Sequence, residues 1–165
     1  TRYAQFSPIA STVLRASVAR LRYPRDYWEQ SEDEAECFEK KQRGDTVELI
    51  IDLVRIVGVP ACIAELGGML QQGCAEMQAS GEWRGVEAVL EALCGLHRAI
   101  PRTESMLIPG VMALLPQLPK APLLLCTAVR FIGAYASWLR ANPSHLAPSF
   151  TMLAQVRVTH FFNNV

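Results

Sequence analysis

Between Asp26 and Glu39 the sequence has no basic residue, although seven acidic ones fall there: Asp26, Glu29, Glu32, Asp33, Glu34, Glu36 and Glu39. Over the whole chain of 165 residues the charges cancel, sixteen basic against sixteen acidic. No field of one sign covers it, which excludes the basic surface of a nucleic-acid-binding domain. No apolar run is long enough to cross a bilayer. Thr1-Arg2-Tyr3 is neither an initiator methionine nor a secretory leader, and the start reads as the interior of something longer. The five cysteines, at 37, 62, 74, 94 and 126, are odd in number and widely spaced, so no disulfide framework is implied. Their mostly apolar neighbours suit buried, reduced thiols in the cytosol or nucleus.

What is present is helical periodicity. Val86, Val89, Leu90, Leu93, Leu96 and Ile100 recur at steps of three and four, with Arg84, Glu87, Glu91 and Arg98 between them. That pattern predicts a helix with one wet face. Further on, Leu124, Ala128, Phe131, Tyr135 and Trp138 form one apolar stripe, and Leu125, Val129, Ile132, Ala136 and Leu139 form a second beside it. A helix apolar over so much of its surface belongs inside a stack of helices.

The remaining punctuation fits the same picture. Ser7-Pro8 opens a helix over 8–21, and Tyr23-Pro24 stops it. A loop over 22–36 follows, because Pro24 and Ser31 interrupt the acidic run and close negative charges disfavour a compact helix. From about Ala35 a helix rises to Val57; the segment Val47–Val57 passes for a strand on composition, but Glu48, Asp52 and Arg55 share a face only if it is helical. Gly58 caps it and Pro60 starts the next helix, to about Gln78, with fraying expected after Gln72 because of Gly67, Gly68 and Gly73. A short helix from about Met106 to Leu115 tolerates Pro109 only in its first turn. The Trp138 helix is expected from Ala121 to Asn142, and Pro148 opens a last one through Leu153.

Long helices near Asp45, Trp83 and Ala121, each followed by a shorter one, give a repeat of about forty residues, the spacing of HEAT-type helix pairs. The expected fold is therefore all-α, a right-handed solenoid of about three to four antiparallel pairs over 1–153, with pairs at 37–79, 82–116 and 121–153. A closed helical bundle is the alternative.

Residues for chemistry are sparse. Cys94 and His97 lie three apart on one helix, but a structural zinc needs about four ligands, so packing is the better reading. Cys62 and Cys74 have no histidine partner for a nucleophile, and the acidic run lacks a calcium loop's central glycine and terminal glutamate. Trp83 and Trp138, at helical spacing among aliphatics, read as core anchors. Arg43-Gly44-Asp45, an adhesion tripeptide by letter, is attributed to chance. With no strand there is no site for a glycine-rich phosphate loop. No catalytic residue, cofactor or metal is expected. The acidic run is either a solvated loop or, through Glu32, Asp33, Glu34 and Glu36, a contact for a basic partner.

Several stretches resemble the importin-β superfamily, and most closely its transportin-SR branch. They are Trp83-Arg-Gly-Val-Glu87-Ala88-Val-Leu90, Leu114-Leu-Pro-Gln-Leu118-Pro119, Ile132-Gly133-Ala-Tyr-Ala-Ser-Trp138-Leu139 running into Asn142-Pro143, and Asp45-Thr-Val-Glu-Leu-Ile-Ile-Asp52. The resemblance implies the middle of a HEAT-repeat nuclear import receptor, with the Asp45, Trp83 and Ala121 helices outer and those at Pro60, Met106 and Pro148 inner. It implies protein cargo, such as Arg/Ser-rich basic proteins, RanGTP as a partner of the whole receptor, and shuttling between cytoplasm and nucleus. No direct nucleic-acid or membrane contact is implied. A HEAT scaffold or regulatory subunit unrelated to transport is the competing function. After Leu153 the resemblance stops, so residues 154–165 are expected to be a poorly packed tail exposing Phe161 and Phe162.

Overall fold

The computed structural model describes residues 7–162, and side chains for residues 8–154. Among the described residues every regular element is helical and there is no strand. Two compact units are distinguished, the first ending at Ala99 and the second beginning at Ile100.

In the first unit, α1 (Ser7–Leu21) buries Ala10, Leu14, Ser17, Val18 and Leu21. This stripe is led by Ala10; Ile9, expected on the buried face, lies one step off it and is exposed. The loop expected over 22–36 is only partly a loop. Tyr27–Glu29 forms one 3-10 turn, and α2 (Glu32–Glu36) runs on through a π-helical segment, Cys37–Arg43, into α3 (Gly44–Val57). The charges do not prevent the helix because Glu32, Asp33 and Glu34 occupy its first turn, where the free amides and the dipole favour them. Ser31 completes the start with a capping box.

Glu48, Asp52 and Arg55 are all exposed on α3, as helical spacing requires, while Ile50, Leu53 and Val54 are buried. Gly58, at φ +92°, turns the chain directly into α4 (Val59–Ser80). The fraying expected after Gln72 does not occur. Gly73 is buried, and a Cβ there would sit 3.1 Å from the Val86 backbone nitrogen, so its bare backbone allows α4 to approach α5 (Arg84–Leu96) closely. That contact outweighs the weak helix propensity of glycine. In α5 the predicted apolar positions are buried, but so is Glu87, expected on the wet face. Its partner is Arg43.

In the second unit, α6 (Leu107–Leu114) carries Pro109 in its first turn and continues as a 3-10 turn to Gln117. The Glu104 carboxylate accepts hydrogen bonds from the free amides of Met106, Leu107 and Ile108 at 2.7–2.8 Å. The long Trp138 helix is divided into α7 (Pro122–Ala134) and α8 (Ala136–Ala141). At Tyr135 the backbone flattens to φ −95°, ψ 16°, and its N–H is shared between the Phe131 and Gly133 carbonyls. The stripe of Leu124, Ala128, Phe131, Tyr135 and Trp138 is buried throughout. Trp138 also donates its indole N–H to the Glu104 carbonyl at 2.9 Å. The last helix, α9 (Leu146–Phe162), continues well past Leu153. The expected exposure of Phe161 and Phe162 concerns side chains outside the described residues.

Candidate functional site

The acidic segment is organised by a single cation beneath it. Arg43 closes the π-helical segment and is 1% exposed. Its Nη2 donates to Glu87 Oε1 at 2.7 Å and lies 3.4 Å from Glu91 Oε2, both on α5, while Nε is 3.8 Å from Glu39 Oε2 one turn back. The guanidinium also lies over the Tyr23 ring, 4.3 Å from its centroid. Burial pushes the Arg43 pKa down, but the attraction of Glu87 and its hydrogen bond, with Glu91 adding to them, leave it above the usual value. Arg43 therefore stays charged.

The aromatic side chains at the end of α1 complete the anchor. Tyr23 donates its hydroxyl to Glu39 Oε1 at 2.6 Å, and Tyr27 donates to the same oxygen at 3.3 Å. Tyr23 meets Tyr27 edge-on at 4.8 Å and packs on Phe38 at 5.5 Å. Burial first, then the bond to Glu39, raises the Tyr23 pKa well above the ordinary tyrosine range. One arginine thus ties together the end of α1, the π-helical segment and α5.

The four carboxylates singled out by charge divide into two kinds. Glu34 accepts from the Ser31 amide at 3.0 Å and the Ser31 hydroxyl at 2.8 Å, and its own amide donates back to Ser31 Oγ at 3.3 Å. Those bonds, the backbone amide first, lower its pKa. Glu36 pairs with Lys40 one turn on. Glu32 and Asp33 stand exposed in the first turn of α2. Beside them, and not singled out in the sequence, Trp28 is 70% exposed and held edge-on against Tyr27 at 5.5 Å. The run Asp26-Tyr27-Trp28-Glu29 carries the only available signal, an aromatic pair between acidic residues. The segment therefore presents negative charge with one flat aromatic face, a combination suited to a guanidinium-rich partner.

The other candidates carry less. Arg43-Gly44-Asp45 is not displayed for recognition, since its arginine is buried. His97 Nδ1 lies 2.7 Å from the Cys94 carbonyl of its own helix. Among the described residues no group of three His, Cys, Asp or Glu side chains is placed to hold a metal ion, and no helix is long and apolar enough to cross a membrane. The five cysteines form no disulfide, but only Cys62 is buried; Cys37 and Cys126 are exposed, because they fall on the outer side of their helical turns.

No family model matches the chain. It is 30% identical over 143 residues to Transportin MOS14 of Arabidopsis thaliana, a match covering 86% of this chain and 15% of that protein. It is 28% identical over 156 residues to an uncharacterised protein of Schizosaccharomyces pombe, covering 86% of this chain and 16% of that one. The chain thus spans less than a fifth of the length of these relatives. Among solved structures, one titled "Importin13 cytosolic state" superposes with a TM-score of 0.86 at 24% identity, over 93% of this chain and 18% of that one. The expected all-α HEAT-repeat class is the fold the two share.

Proposed function

The chain belongs to the importin-β superfamily as a transportin-like segment, and from that premise we propose that it serves a nuclear transport receptor as a non-enzymatic binding surface for protein partners. The observation that carries this reading is the 30% identity to a transportin, sustained across 86% of the chain rather than confined to one helix. In the whole receptor the partners are basic, Arg/Ser-rich cargo and RanGTP, and the receptor shuttles between cytoplasm and nucleus. Within this segment the contact for a basic partner is the exposed acidic edge of Glu32 and Asp33 with Trp28 beside it. Glu34 and Glu36 contribute negative charge to that edge while holding the helix that displays it.

The test is binding of an Arg/Ser-rich peptide and of GTP-loaded Ran to the 165-residue chain, by titration calorimetry at low and at physiological salt. Peptide binding that weakens as salt rises supports the reading. If neither partner binds at low salt, the segment is a HEAT scaffold between contacts made elsewhere, which is the rival function.

A further inference from the structure

We propose that Ser31 is a phosphoacceptor for an acidophilic serine/threonine kinase, independently of whether the segment contacts a transport partner. Ser31 is exposed, and the backbone at Gln30 and Ser31 is extended (φ −72°, ψ 151° and φ −65°, ψ 160°), the form in which a kinase cleft takes its substrate. Glu32, Asp33 and Glu34 follow as the next three residues, and no other serine or threonine in the chain is followed by three acidic residues. No basic side chain between Asp26 and Glu39 opposes the cationic groove that such a kinase uses to read its substrate.

The local structure also accommodates the product. Ser31 Oγ now accepts from the Glu34 amide and donates to the Glu34 carboxylate. A phosphate on Oγ keeps the first of these bonds and removes the second, because the hydroxyl proton is gone and the two anions repel. Its oxygens then take over the free amides at the start of α2, where negative charge is favoured. The modification therefore exchanges a neutral cap for a doubly charged one and releases the Glu34 carboxylate, without dissolving the helix. In the transfer, Ser31 Oγ bonds to the γ-phosphorus of ATP, the bond to the β–γ bridging oxygen breaks, and ADP leaves. The hydroxyl proton goes to the kinase's base.

The experiment incubates the full 165-residue chain with an acidophilic kinase and ATP, and maps phosphate by mass spectrometry. One phosphate on Ser31 is expected, with incorporation lost in Ser31→Ala. Asp33→Lys, which leaves the Ser31–Glu34 cap in place, is expected to slow incorporation by about tenfold or more, since it sets like charge against the kinase groove. Ser31→Thr retains both cap and acceptor and is expected to remain a substrate. No incorporation, phosphate at another position that persists in Ser31→Ala, or an unchanged rate in Asp33→Lys would each overturn the proposal.

Discussion

Arg43 and Glu87 lie forty-four positions apart in sequence, yet their side chains meet at 2.7 Å with both almost wholly removed from solvent. Breaking one half of such a pair leaves the other charge buried, which typically costs about 3–5 kcal/mol, whereas removing both with apolar residues is often neutral. Arg43→Leu is therefore expected to destabilise the chain by about 3–5 kcal/mol in denaturant unfolding, and Arg43→Leu/Glu87→Leu to recover more than half of that. Arg43→Lys, which keeps charge but loses the planar fork, falls between them. Equal destabilisation by the single and double variants would show that packing, not the charge pair, holds the site.

The hydroxyl of Tyr23 gives the same anchor a pH signature. Its folded pKa is raised above the ordinary value of 10.0, by burial and then by donation to Glu39. A group whose folded pKa is raised contributes stability that is present below the unfolded pKa and lost as pH rises through and beyond it. Stability is thus expected to be level through neutral pH and to fall above about pH 10. In Tyr23→Phe that alkaline fall is shallower. Ultraviolet absorbance of tyrosinate, followed alongside circular dichroism, checks it: Tyr23 ionises only as the helices unfold.

Gly95 on α5 faces Val47 on α3 so closely that a methyl group there would overlap Val47 Cγ1. Overfilling a packed contact costs about 1–3 kcal/mol, and the stiff β-branched side chain cannot swing clear. Gly95→Ala is expected to lower stability by that amount, despite the better helix propensity of alanine, and Val47→Ala in the same chain to restore most of it. A stabilising Gly95→Ala would mean that the two helices separate readily at this point.

Much of this arrangement was legible before the structure. Periodicity located the helices, placed Leu124 to Trp138 inside, and separated Val47–Val57 from a strand by the spacing of Glu48, Asp52 and Arg55. Three features escaped it for a common reason, since each depends on a partner distant in sequence or on cap chemistry, which periodicity does not register. Glu87 looked solvated because a carboxylate on a helix usually is, and only Arg43 reverses that. The π-helical segment that carries Arg43 leaves no pattern of its own. The start of α2 was in principle readable, because Ser31 followed three residues later by Glu34 is a capping-box signature, but the repulsion among seven carboxylates was given more weight. At the candidate site, charge alone pointed to Glu32, Asp33, Glu34 and Glu36 without separating displayed carboxylates from engaged ones.

That separation yields a test distinguishing recognition from structure. Glu32 and Asp33 are exposed on the first turn of α2, and Trp28 is 70% exposed beside them, whereas Glu34 closes the capping box. Replacing Glu32 and Asp33 together by lysine reverses the field met by a basic peptide, but it also puts cations at a helix N-terminus, at about 0.3–1 kcal/mol each. Glutamine at both positions avoids most of that cost and still removes the attraction. Glu32→Gln/Asp33→Gln is therefore expected to weaken an Arg/Ser-rich peptide by about tenfold at low salt and by much less at physiological salt, with the melting temperature nearly unchanged. Trp28→Ala removes the flat face and is expected to lower affinity by an amount that salt hardly alters, since cation–π stacking is short-ranged, about 0.5–1 kcal/mol at an exposed ring. Glu34→Gln weakens the cap as well as the charge, so helicity and affinity fall together. Affinity that tracks helicity across all three variants would assign the segment a purely structural role; affinity that falls in the first two while the melting temperature holds would assign recognition to this edge.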